Sequence, residues 1–129
     1  MQSSQYIELF YVDAIKNQIE INDLFSVLEK GYENKDIVDA LFINFHILKG
    51  HALGLGFKAI ESMAHVLEEV FEAIREAKLE LNHTISKEIK SAIHTLGKLI
   101  ESLKSEEKVK YLVQKARLGA ILSELRIIN

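Results

Sequence analysis

"FHILKGHALGLGFKAIESMAHVLEEVFEAIR", Phe45 to Arg75, divides into two helical stretches around the turn "GLGF". Extended back to Lys35, the first stretch carries Ile37, Leu41, Phe45, Leu48, Ala52 and Leu55 at steps of four and three. The second carries Phe57, Ile60, Ala64, Leu67, Phe71 and Ile74 in the same rhythm. Each set forms one apolar stripe along a helix, over about Lys35–Leu55 and about Phe57–Lys78. A turn this short makes the two helices antiparallel neighbours, and their stripes need further helices to cover them. The fold class predicted is all-α, an antiparallel up-and-down helical bundle.

Three more helices complete it. The first spans about Ser4–Lys30, with Phe10, Ala14, Ile21, Phe25 and Leu28 inward, and ends at "KGYENKD", where Gly31 is expected in a left-handed C-terminal conformation. The fourth follows the capping residues of "NHTIS" and runs about Thr84–Leu103, with Ile85, Ile89, Ala92, Leu96, Leu99 and Leu103 inward. A fifth is expected from an N-cap at Ser105, with Glu106 and Glu107 in its first turn and Val109, Leu112, Val113, Ala116, Ile121 and Leu125 inward. No proline interrupts any of these segments.

The 129 residues suffice for one domain with a core, so a single domain over 1–129 is expected. A net charge of −3 and a pI near 6.0 provide no basic field, which argues against nucleic acid as a partner. No apolar run approaches the roughly 18 residues of a membrane span, and "MQSSQYIELF" does not read as a secretion signal. With no cysteine for disulfides, thiolate metal sites or thiol nucleophiles, a cytoplasmic protein without membrane partners is expected.

On a wheel of about 100° per residue, His46 lies roughly 150° from the centre of its own stripe and points to water. Lys49 and Gly50 are its i+3 and i+4 neighbours, with Phe42 and Leu53 a turn away on either side. Glycine in a helix interior costs about 0.5–1 kcal/mol relative to alanine, so Gly50 implies a need for space. Phe42, Gly50 and Leu53 beside an exposed histidine suggest a docking surface. His65 falls on the polar side of the next helix. Counted from a turn at Leu55 and Gly56, His46 and His65 stand level and Glu68 follows, predicting an exposed cluster of His46, Lys49, His65 and Glu68.

Solvated surface residues would produce the same pattern, and a His–Glu metal site is a further reading. The metal reading is disfavoured, because HExxH and di-iron ExxH spacings are absent and Lys49 would repel a cation. His51, His83 and His94 lack such neighbours; His83 falls in an expected loop. A neutral exposed imidazole is a good nucleophile toward phosphorus, and Lys49 can offset charge on a transferred phosphoryl group. Glu68 could accept the other ring N–H and fix the tautomer.

Those residues resemble the histidine phosphotransfer (HPt) domain, most closely the form at the N-terminus of CheA-type chemotaxis histidine kinases. His46, Lys49 and Gly50 match its H-x-x-K-G, Gly56 and Phe57 its GF, and His65 and Glu68 its H-x-x-E; "FYVDAIKNQIEINDLFSVLEKG" matches its acidic first helix. The resemblance implies that His46 is the phosphoacceptor, with Lys49 a charge neighbour and His65 and Glu68 hydrogen-bonding support. It implies a phosphoacceptor and donor rather than an enzyme, with no cofactor of its own. ATP and magnesium would belong to the partners, a histidine kinase catalytic domain and a response regulator receiver domain. Ile43, Ile47 and His51 depart from the family's usual residues, which bears on partner identity. Neither an ATP-binding, dimerisation or receptor-coupling segment nor a Walker-type loop is read in these 129 residues, so either a kinase fragment or a free-standing relay protein is expected; a docking module without covalent chemistry is the alternative from another class.

Overall fold

The computed structural model describes the backbone of residues 2–128 and the side chains of residues 5–125. Met1 and Asn129, the bounds of the expected single domain, lie outside them. Among the described residues five helices follow one another: α1 (Gln2–Leu28), α2 (Lys35–Leu55), α3 (Lys58–Arg75), α4 (His83–Ser105) and α5 (Leu112–Ile128). α1 touches α2 and α4, and α3 touches the same two, so α1 to α4 close a ring; α5 lies along the α3–α4 edge. One core joins all five, from Phe10 and Ile21 through Phe45, Phe71 and Leu96 to Leu118.

The ends of α2 show why it spans those residues. Asn34 Oδ1 accepts the Ile37 N–H at 3.2 Å, satisfying one orphan donor of the first turn. At the other end Gly56 adopts φ 79°, a left-handed conformation that glycine alone takes without strain. The Phe57 N–H then returns to Ala52 O at 2.9 Å and the Gly56 N–H to Leu53 O at 3.2 Å, a Schellman closure. α3 starts at once, with Glu61 in its first turn and Arg75 in its last, both complementing the helix dipole. α2 is thereby laid along α3, and this is the most extensive helix pair in the bundle.

Several expectations are corrected. Gly31 is not left-handed; α1 closes by tightened bonds, Lys30 N–H to Val27 O at 3.1 Å and Gly31 N–H to Leu28 O at 3.0 Å. Leu55 is 41% exposed because the helix ends there and turns away from the core. His83 opens α4, which is capped by Asn82 Oδ1 accepting the Ile85 N–H at 2.9 Å. Ser105 is the last residue of α4 rather than the cap of α5. Its Oγ does accept the Glu107 N–H at 3.3 Å, but Glu106 takes φ 61° and sends the chain out of helix until Leu112. That delay resets the face of α5: Leu118 and Leu122 are buried, while Leu112 and Val113 are 66% and 57% exposed and Ala116 is exposed too.

Candidate phosphoacceptor site

The α2–α3 hairpin has its register centred on Phe57. His46 and Glu68 are equidistant from it in sequence, as are Asp39 and Arg75, and both pairs are in contact. His46 Nδ1 lies 2.5 Å from Glu68 Oε2, and Arg75 Nε donates to Asp39 Oδ1 at 2.9 Å. The level partner of His46 is therefore Glu68, a turn beyond the expected His65, because the hairpin pivots nearer Phe57 than Leu55.

His46 itself is exposed, its side chain 61% accessible, as its position opposite the α2 stripe predicts. Glu68 is not: only 7% of it is accessible, which corrects the expectation of a wholly exposed cluster. It sits one residue past Leu67 and one turn from both Ala64 and Phe71, all fully buried, and α2 covers that shoulder. A buried carboxylate needs both oxygens satisfied. Oε2 takes the His46 contact and Oε1 accepts from Lys49 Nζ at 2.6 Å. Burial, the largest influence, raises the Glu68 pKa, but the hydrogen bonds and charges of Lys49 and His46 together outweigh it, and the carboxyl lies below its ordinary 4.5.

A carboxylate can only accept, so the hydrogen bond requires the proton on Nδ1 of a neutral His46. Nε2 then carries the free lone pair, on an exposed side chain. Lys49, expected to face an incoming phosphoryl group, is turned instead to Glu68, with its side chain 23% accessible.

His65 does not join the cluster. Its Nε2 lies 3.3 Å from Glu69 Oε1, and it lines a groove between α3 and α5 with Glu61, Ser62, Lys115 and Gly119. A helical wheel reports direction but not which neighbouring helix occupies it, and α5 claims this one. Among the described residues no group of three or more His, Cys, Asp or Glu could hold a metal ion, and no helix is long and apolar enough to cross a membrane.

Around His46, Gly50 leaves open space: a Cβ there meets nothing within 4 Å among the described residues, so their packing does not explain the glycine. Leu53 is 63% exposed, Ile43 53% and Ile47 41%, and Phe42 is half-buried beside them. Phe42 also stacks on the His46 ring, with centroids 6.3 Å apart and planes 15° from parallel, and Arg75 Cζ stands 4.4 Å from the centre of the Phe42 ring. Asp39 and Arg75 were missed in the sequence, although their equal distance from Phe57 is a signal that could have found them.

Comparison with known proteins follows the same residues. The Hpt domain family matches residues 5–106, from α1 to the end of α4 and including the whole His46 cluster. Chemotaxis protein CheA of Borreliella burgdorferi is 25% identical over 130 residues, covering 100% of this chain and 15% of that protein. CheA of Bacillus subtilis is 25% identical over 103 residues, 80% of this chain and 15% of that protein. CheA of Halobacterium salinarum is 28% identical over 76 residues, 59% of this chain and 11% of that protein. The chain thus spans about 15% of the length of the first of these relatives. Among solved structures, the CheA phosphotransferase domain from Thermotoga maritima shares the fold, with a TM-score of 0.72 over 77% of this chain and 94% of that chain at 21% identity. The H-x-x-K-G histidine, the carboxylate that meets it and the helices that carry both all fall within the matched span, and the chain belongs to the Hpt domain family.

Proposed function

We propose that His46 accepts a phosphoryl group on Nε2 from a histidine kinase domain and passes it to an aspartate of a response regulator. The observation that carries this reading is the Nδ1 contact with Glu68, which leaves Nε2 of an exposed ring as the nucleophile. In the first step the Nε2 lone pair attacks the γ-phosphorus of ATP held by the kinase domain. The N–P bond forms, the P–O bond to the leaving group breaks, and ADP departs. The imidazole becomes positively charged, and the Glu68 carboxylate stabilises that charge across the Nδ1–H. In the second step an aspartate oxygen attacks the phosphorus, the P–N bond breaks and its electron pair returns to Nε2. The nucleotide and its magnesium ion belong to the partners, so this chain is donor and acceptor rather than enzyme. Gly50, with Phe42 and Leu53 around it, provides clearance and apolar contact for the partner that approaches His46.

The test is labelling with γ-phosphate-labelled ATP and a CheA-type kinase domain supplied in trans. One acid-labile phosphate per chain is expected. His46→Gln should abolish it without loss of helix content, and His65→Gln should retain it. A label that survives His46→Gln overturns the assignment.

A further inference from the structure

We infer that Arg75 is a positioning residue for the phosphoacceptor, acting on His46 through Phe42. This rests on the reading of His46 as nucleophile and extends it to residues outside the H-x-x-K-G and H-x-x-E patterns. The hydrogen bond to Glu68 fixes one atom of the imidazole, Nδ1, and leaves the ring free to tilt about that contact. A second constraint is needed to fix the ring plane and hence the direction of the Nε2 lone pair. Phe42, one turn before His46 on α2, provides it by lying nearly parallel to the imidazole, at a separation where aromatic rings attract when offset.

Phe42 is only half-buried and would not hold its own rotamer by burial alone. The Arg75 guanidinium, reaching across from α3, stands over its ring at cation–π distance, and Asp39 holds that guanidinium from one turn further back on α2. Two α3 side chains spaced seven residues apart therefore grip the imidazole at two places: Glu68 directly, and Arg75 through an aromatic spacer. Neither Arg75 nor Asp39 contacts His46, and both side chains are substantially exposed, at 40% and 53%. Their removal is accordingly compatible with a folded chain.

The experiment uses the whole chain and phosphoramidate, a small phosphodonor that needs no docking surface, together with NMR three-bond couplings that report the orientation of the His46 ring. Arg75→Ala should slow phosphorylation roughly 2- to 5-fold, the rate equivalent of one exposed cation–π contact, and spread the His46 ring over more rotamers. Arg75→Lys, which keeps a cation for the ring, should recover most of both. In a Phe42→Ala background, Arg75→Ala should have no further effect. Unchanged His46 couplings in Arg75→Ala, or an equal slowing with and without Phe42, would overturn the inference. If the wild-type chain takes no phosphate at His46, the reading of the nucleophile fails, and the couplings still decide whether Arg75 holds the ring.

Discussion

Glu68 meets His46 from the opposite arm of the α2–α3 helical hairpin, at the point where both are equally far in sequence from Phe57. One carboxylate oxygen orients the imidazole and the other holds Lys49, so a single buried acid is shared between the exposed histidine and the nearby cation.

Replacing that acid while keeping its shape separates orientation from packing. Glu68→Gln should leave the helices intact and slow His46 phosphorylation by roughly 10- to 100-fold, the range for losing a group that orients and charge-stabilises a reacting histidine. Nitrogen-15 shifts of the His46 ring should show the Nδ1–H form losing population. Equal rates and unchanged shifts in the variant would mean that the two side chains are not coupled in solution.

The same acid makes stability depend on pH. The folded-state pKa of Glu68 is below its ordinary 4.5, so the folded chain holds this proton less tightly than the unfolded chain. Its contribution to stability is present in full above about pH 4.5 and is lost as pH falls through the depressed folded value. Urea unfolding from about pH 7 down to about pH 3 should show wild type losing more stability than Glu68→Gln. Parallel curves would show that Glu68 gains nothing from Lys49 and His46.

Gly50 separates docking from chemistry. A Cβ there meets nothing within 4 Å among the described residues, so Gly50→Gln should fold normally and gain up to about 0.5–1 kcal/mol from better helix propensity. Transfer to and from protein partners should slow by at least roughly tenfold, the rate equivalent of about 1.4 kcal/mol, while the reaction with phosphoramidate stays near wild type. Normal transfer with a kinase domain would leave the glycine without a role in approach.

Gly97 is a glycine of the opposite kind. A Cβ there would stand 2.8 Å from Gln18 Nε2, and that amide donates to Ile93 O at 3.1 Å between α1 and α4. Gly97→Ala should therefore stabilise the wild-type chain by well under the propensity gain of about 1 kcal/mol, because displacing that hydrogen bond costs about 0.5–1.5 kcal/mol and offsets it. In a Gln18→Ala background the same change should stabilise by up to about 1 kcal/mol. An equal change in both backgrounds, read from denaturation midpoints, would show that the two residues are not coupled.

Periodicity and the turn residues between the stripes determined that the chain is a helical bundle, about where α2 begins and ends, and that His46 faces water while Phe45 and Leu48 do not. These follow from the fixed rotation per residue, which orients every side chain relative to its own helix axis. Where a helix starts after an irregular segment is not local in that sense. Ser105 has the chemistry of a cap, yet α5 begins at Leu112, and the face it buries shifted with it. What each polar side chain meets was likewise decided only by packing. Glu68 is buried because α2 covers its shoulder of α3, Lys49 turns to that acid rather than outward, and His65 belongs to Glu69 and the α5 groove. Arg75 reaches Phe42 only because the Gly56 turn sets the register of the two helices about Phe57. A sequence fixes directions around one axis, whereas contact between two helices also requires their relative height and distance, and those come from the closed turn and the filled core.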